Sequence, residues 1–189
     1  MKSKILIMLA YLLGVAVFSG CASEAPNKEA CNIQASAKKG NLVSSGENAF
    51  FILKPGYRLE YKGGDKTALV ITVLDETKLV DSVVTRVVEE IETKDGKPSE
   101  VSRNYLAIDK HTKDIYCFGE DSSTYESVKL KSSEGSWLSG VNSAKYGLLM
   151  PNKLKVGDSF CQGSAPKVTL EIAQVIAVDE TIKTYAGVF

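Results

Sequence analysis

The chain contains one histidine in 189 residues, and that scarcity removes most of the usual acid–base chemistry. His111 lies in Asp109-Lys110-His111-Thr112-Lys113-Asp114, a composition that fits a solvated turn and not a base held in a cleft. With one histidine and no G-x-S-x-G, a Ser-His-Asp hydrolase has no support. No C-x-x-C and no Cys/His spacing marks a metal site, so no catalytic residue, metal or cofactor is expected. Net charge is absent too: 23 Lys+Arg balance 23 Asp+Glu, which leaves no basic footprint for nucleic acid. No apolar run reaches the roughly 20 residues of a spanning helix, and no segment carries a capped amphipathic helical period.

The longest apolar run is Ile5 to Phe18, preceded by the positive Met1-Lys2-Ser3-Lys4, and it has the length and flanks of a secretory leader. Phe18-Ser19-Gly20-Cys21 resembles the lipobox of bacterial lipoproteins, with Phe18 where that family usually has an aliphatic residue. The resemblance implies removal of residues 1–20, a diacylglyceryl thioether on Cys21, and an acyl chain such as palmitate on the new amine. Three chains satisfy the need for more than one acyl group in stable membrane anchoring. The alternative is an ordinary secretory leader with an incidental cysteine. Ala22-Ser23, with no Asp directly after Cys21, resembles the sorting pattern for the outer rather than the inner membrane of a Gram-negative envelope. Residues 21–47 lack any sustained period and read as a lipidated flexible tether, with a reach of about 25 to 30 Å.

The remainder, 48–189, is patterned for strands. Tyr57, Leu59 and Tyr61 alternate with Arg58, Glu60 and Lys62, the period-two signal of a half-buried strand. Gly63-Gly64-Asp65-Lys66 and Asp95-Gly96 are hairpin turns. Asp75-Glu76-Thr77-Lys78 and Gly119-Glu120-Asp121-Ser122-Ser123 read as polar breaks between strands. Leu53 to Val83 recurs as Leu154 to Val188: Lys54-x-Gly56 answers Lys155-x-Gly157, and Asp75-Glu76-Thr77 answers Asp179-Glu180-Thr181. A repeat of so long a period is a duplicated structural unit and not a solenoid. Copy one spans about 53–131, a connecting loop about 132–153, and copy two 154–189. The repeat also decides Val168 to Val178, ambiguous by period alone, in favour of a strand. The expected fold is all-β: an antiparallel twisted sheet, sandwich or part-closed barrel built from two related copies of a hairpin unit. Copy two stops at Phe189 as its next strand begins, so the chain is expected to be a fragment or truncated reading frame.

From about Lys54 to Phe189 the chain also resembles a family of exported bacterial proteins to which no activity attaches. The residues that carry this are Leu53-Lys54-Pro55-Gly56-Tyr57, Val73-Leu74-Asp75-Glu76-Thr77, Phe118-Gly119-Glu120-Asp121, Glu134-Gly135-Ser136-Trp137, Gly140-Val141, Met150-Pro151 and Val156-Gly157-Asp158. Such proteins have Trp or Tyr before the Phe-Gly-Glu-Asp, where Tyr116-Cys117 stands here, and they continue past Gly187-Val188-Phe189. The resemblance implies kinship and not a reaction.

Few residues could carry chemistry. In an oxidising compartment Cys117 and Cys161, both in expected sheet, could form a disulfide and leave Cys31 in the tether; the alternative is buried free thiols. Glu89-Glu90 cannot form a dyad, since adjacent residues of a strand face opposite ways. Glu120-Asp121-Ser122-Ser123 lacks the ligand spacing of an EF-hand loop and reads as turn chemistry. Trp137, flanked by glycines, is the best candidate for a ligand contact, or else a plug for the open end of the sheet. The leading functional expectation is a non-enzymatic cell-envelope lipoprotein with a structural or protein-binding role. Its partners would be the membrane, through the lipid anchor, and an envelope protein, with no nucleic acid. A second reading is a carrier whose concave sheet holds an apolar ligand or lipid, by resemblance to half-barrel lipoprotein-sorting folds; an enzyme of unknown type comes third.

Overall fold

The computed structural model describes residues 37–126 and 128–189. In chain order the strands are β1 (Leu42–Val43), β2 (Gly46–Glu47), β3 (Ile52–Leu53), β4 (Arg58–Lys62), β5 (Thr67–Val80), β6 (Val83–Lys94), β7 (Lys97–Asp109) and β8 (Ile115–Glu126). They continue as β9 (Lys129–Ser132), β10 (Trp137–Leu138), β11 (Lys145–Met150), β12 (Ser159–Ala165), β13 (Thr169–Gln174), β14 (Lys183–Thr184) and β15 (Gly187–Val188). There is no α-helix among the described residues. One antiparallel sheet runs β13-β12-β11-β8-β7-β6-β5-β4, with β1 paired to β7, and β9 and β10 to β8; β2–β3 and β14–β15 are separate ribbons. Because β4 and β13 do not pair with each other, the sheet does not close into a barrel.

Short turns impose the antiparallel order. Val80 pairs Val83 and Lys94 pairs Lys97, with Asp81 and Ser82 at φ 48° and 67°, and Asp95 and Gly96 at φ 51° and 74°. Two consecutive positive φ values define the type I′ turn, whose twist matches that of the flanking strands.

The central strands are apolar on both sides. On β7, Leu106 and Ile108 alternate with Tyr105 and Ala107; on β8, Ile115 and Cys117 alternate with Tyr116 and Phe118. The first set joins Leu53, Val73, Val88 and Trp137 in one core. The second joins Leu42, Val80, Val87 and Tyr146 in another, where Phe118 stacks on Tyr146 at 4.5 Å between ring centroids. Each such buried side chain contributes about 1.5–3 kcal/mol over its exposed state.

The duplicated motif folds the same way twice. Gly56 N–H donates to Val73 O, Tyr57 N–H to Lys54 O, and Val73 N–H to Tyr57 O; in copy two Gly157 donates to Val175, Asp158 to Lys155 and Val175 to Asp158. Gly56 and Gly157 have φ 84° and 92°, the third-position conformation of a type II turn that favours glycine.

The structure departs from the sequence reading at four places. Packing includes residues ahead of Asn48: Leu42 pairs with Asp109, and Lys39 Nζ lies 2.5 Å from Asp81. Asp75–Lys78 does not end a strand, because β5 carries these residues as an irregularity between Val73 and Thr77. Buried Arg86 braces it, donating to Leu74 O and Glu76 O and pairing with the Asp75 carboxylate. Gly119–Ser123 is part of β8 and not a turn. The expected loop 132–153 holds β10 and β11, and β11 sits between β8 and β12.

That last placement also corrects the expected Cys117–Cys161 disulfide. Cys117 is a free buried thiol, whereas Cys161 is disulfide-bonded. Two strand spacings of about 4.7–4.9 Å separate β8 from β12, beyond the roughly 7 Å that a disulfide spans between Cα atoms.

Candidate functional site

One glycine makes room for the Trp137 indole, and two others let neighbouring strands approach closely. Asn104 pairs Glu120, but Leu106 pairs Cys117, so Tyr105 faces both Phe118 and Gly119 in a β-bulge. The extra residue lets Cys117 and Glu120, three apart, present their side chains to the same face. Gly119 has φ 144°, and a Cβ there would stand 2.9 Å from Leu138 Cα and closer still to Trp137 O, because β10 lies against the bulge with Trp137 opposite Glu120. A Cβ on Gly163 would stand 2.7 Å from Trp137 Cζ2. At Gly147 a Cβ would run into the backbone of Cys161 and Gln162, so β11 and β12 approach each other closely beside the ring. Trp137, the only tryptophan in the chain, is 6% exposed.

Beside the indole lies a cavity of about 50 Å³, with Leu69, Leu106, Cys117 and Leu149 on its apolar side. Its polar side is acidic: Glu90 and Glu92 of β6, Glu100 of β7, Glu120 of β8 and Glu171 of β13. It adjoins an outer space of about 310 Å³ that shares Glu100, Glu120 and Glu171 and adds the hydroxyls of Ser122, Thr124, Ser132 and Thr169, with Glu134. The strand register sets this arrangement, since Glu90 is opposite Ser102 and Glu92 opposite Glu100. Ser122 Oγ donates to Glu100 Oε1 at 2.8 Å, and Ser102 donates to Glu120.

No lysine or arginine among the described residues lines either space. Among the described residues Glu90, Glu92, Glu100 and Glu120 take part in no ion pair. Burial, and then the charges of Glu92 and Glu100, push Glu90 up to about 7. Burial, then Glu171, Glu100 and Glu90, push Glu120 up to about 7. Glu92 is raised as well, by burial and then by Glu100. Burial likewise raises the Cys117 thiol, keeping it protonated and unreactive. Trp137 Nε1–H is buried and meets no acceptor among the described residues.

Acidic groups elsewhere are treated differently. Tyr105 OH donates to the Asp121 carboxylate, and Lys78 Nζ donates to both, at 2.9 Å to Tyr105 and 3.3 Å to Asp121. Asp81 receives Lys39 and the Ser139 hydroxyl, and Glu76 receives Arg103. Half-buried carboxylates without a counter-ion gather on this face, whereas buried Asp109 accepts the backbone N–H groups of His111 and Thr112 in its own turn.

Of the residues singled out in the sequence, Trp137 and Cys117 meet at the cavity, Cys117 as a thiol. Cys161 is on β12, and Cys21 lies outside the described residues. His111 is exposed in its turn, its backbone N–H donating to Asp109 Oδ1. Glu89 and Glu90 do point opposite ways, Glu89 towards Arg103. The sequence reading missed Glu92, Glu100 and Glu171 altogether, and it placed Glu120 in a turn. Among the described residues no group of three or more His, Cys, Asp or Glu could hold a metal ion, so the carboxylates form a dispersed acidic wall and not a chelate. No family model matches the chain, and neither the curated proteins nor the solved structures contain a match.

Proposed function

We propose that the protein is a non-enzymatic, lipid-anchored component of the bacterial cell envelope, whose acid-lined cavity receives a partner molecule. The lipobox-like Phe18-Ser19-Gly20-Cys21 supports the anchor. The observation that carries the binding role is the gathering of half-buried Glu90 and Glu120 around one cavity, with no lysine or arginine among its described lining residues. A carboxylate removed from water without a counter-ion destabilises a fold, and Asp81, Glu76 and Asp121 by contrast each receive a lysine or arginine. The cavity also favours a polar occupant over the apolar ligand or lipid of the carrier reading. At about 50 Å³ with five glutamates in its wall, it is much smaller than the roughly 300–1,000 Å³ of pockets that enclose drug-sized ligands.

Two measurements test this. Intact mass of the membrane-extracted protein should start at Cys21 with three acyl chains; an unmodified Cys21 would remove the anchor. Glu90→Gln and Glu120→Gln should each raise the melting midpoint at pH 8, because each relieves a buried charge. A midpoint lowered by both would make the carboxylates part of the scaffold and end the binding reading.

A further inference from the structure

The border strand β13 is built as a second copy of the interior strand β5. Arg58 opposite Thr72 answers Ser159 opposite Gln174, and Lys62 opposite Ala68 answers Ser164 opposite Leu170. On its other flank β5 holds β6, from Thr67 opposite Lys94 to Val73 opposite Val88. The same flank of β13 holds no strand among the described residues. Val73 turns its backbone groups to Gly56 and Tyr57, and Val175 turns its own to Gly157 and Asp158. Backbone groups alternate in direction along a strand, so Ala68, Val70 and Thr72 bond to β6, and their counterparts Leu170, Ile172 and Gln174 point out of the sheet. At the opposite border β4 points out Arg58, Glu60 and Lys62, all exposed, and such charges guard an edge against pairing. β13 has no such guard, since its one charged residue, Glu171, turns its backbone inward. Leu170 is 49% exposed, and Val168 and Ile176 beyond the two ends are 43% and 84% exposed.

We infer that β13 pairs antiparallel with β13 of a second copy, about a two-fold axis at Ile172, so that two sheets become one. Two-fold symmetry turns the same residues outward in both copies. Ile172 therefore meets Ile172 of the second copy and Leu170 meets Gln174, each pair exchanging both backbone bonds. Glu171 then lies opposite Ala173, and the same register sets exposed Val168 against exposed Ile176. Moving the axis to Glu171 would place two carboxylates face to face, which destabilises a sheet. Moving it to Ala173 would carry Leu170 past the end of the partner strand. A closed pair covers both β13 flanks and leaves only guarded β4 borders, whereas contact of β4 with β13 would leave one of each open and grow into a filament. Strands of 6 residues make a small contact, so the association is weak and concentration-dependent. It is independent of the role proposed for the cavity.

The test uses the full chain in detergent. Analytical ultracentrifugation should show a reversible monomer–dimer equilibrium with a dissociation constant below about 100 μM. Oxidised Ile172→Cys should run as a covalent dimer on a non-reducing gel where the wild type does not, because hydrogen-bonded partners stand about 5.5 Å apart between Cα atoms, within the reach of a disulfide. Ala173→Cys displaces each thiol by one residue, to about 8 Å, beyond that reach, and should not cross-link. Leu170→Pro removes one outward N–H from each copy at an edge where proline is tolerated. It should weaken the dimer about tenfold and leave the Trp137 emission unchanged, while Glu60→Pro, the same change on β4, should leave the dimer intact. A monomer at every concentration up to about 100 μM, a dimer indifferent to Leu170→Pro, or Ala173→Cys cross-linking as fully as Ile172→Cys overturns the inference. Assemblies that grow beyond the dimer and dissolve in Glu60→Pro also overturn it, in favour of β4 against β13. Should Leu170→Pro fail to fold, the two cysteine variants decide.

Discussion

Glu92 and Glu100 are direct partners across the β6–β7 ladder, so two carboxylates face each other where, among the described residues, no lysine or arginine lines the cavity. Like charges placed directly opposite destabilise a sheet, and opposite charges contribute about 0.2–1 kcal/mol. Glu92→Lys should therefore raise the melting midpoint by roughly 2–4 °C. It should also abolish ligand binding, since its own ammonium would fill the cavity. A lowered midpoint in thermal denaturation would show that the two glutamates do not repel in solution.

The acidic wall gives stability a definite dependence on pH. Glu90 and Glu120 ionise near 4.5 in the unfolded chain and at about 7 in the fold, so between these values the native state holds more protons. Stability then falls as pH rises through that window, and their stabilising contribution is complete only below it. The groups facing them are Glu92, Glu100 and Glu171, all of the same sign, with the protonated Cys117 thiol. The midpoint should be several degrees higher at pH 5 than at pH 8, and the double variant Glu90→Gln/Glu120→Gln should flatten the difference. A profile that the double variant leaves unaltered would assign the pH dependence to other groups.

Glycine substitutions should rank by what a methyl group meets. At Gly119 it meets backbone, 2.9 Å from Leu138 Cα, in a φ of 144°. At Gly163 it meets a ring edge, 2.7 Å from Trp137 Cζ2, which can shift. Gly40 has nothing within 4 Å. Gly163→Ala should cost about 1–3 kcal/mol as ordinary overpacking and move the Trp137 emission maximum. Gly119→Ala should cost more, and Gly40→Ala should sit near wild type in denaturant unfolding. Equal stability of all three would contradict the packing described around Trp137.

The cysteines connect the sheet to the proposed anchor. With Cys117 free and Cys161 bonded, a lipid on Cys21 leaves Cys31 as the cysteine for Cys161. A non-reducing peptide map should therefore link the peptide containing Cys31 to that containing Cys161. Alkylation of the native protein should leave Cys117 unlabelled until it is unfolded. A Cys21–Cys161 link would exclude the thioether.

The parts of this fold that sequence displayed are those built by local rules. Asp95-Gly96 gave its hairpin, and Lys54-x-Gly56 with its echo at Lys155-x-Gly157 gave a duplicated turn that the hydrogen bonds reproduce. What was hidden depends on bulges, where one residue changes the facing of all that follow. An unbroken ladder from Asp95-Gly96 would set Glu92 against Ser99; the irregularity between Glu92 and Thr93 sets it against Glu100. Strict alternation from Cys117 would turn Glu120 away and Asp121 inward, and Gly119 reverses this. β11 was invisible for another reason: sandwiched between β8 and β12 and bearing Gly147, it shows no polar face to alternate with.

The two duplicated hairpins, β4–β5 and β12–β13, lie at opposite sides of the sheet, and in both the second strand comes before the first along the order β13-β12-…-β5-β4. Strand directions match as well, because every intervening pair is antiparallel and β12 is six steps from β4. Their relation is thus a displacement across the sheet, modified by twist, and not a half-turn about its normal. A half-turn would make the two borders identical. A displacement makes them unlike: β4 offers the flank that β12 uses to hold β11, and β13 offers the flank that β5 uses to hold β6. The molecule accordingly has a left and a right, and anything that reads its borders meets two different ones.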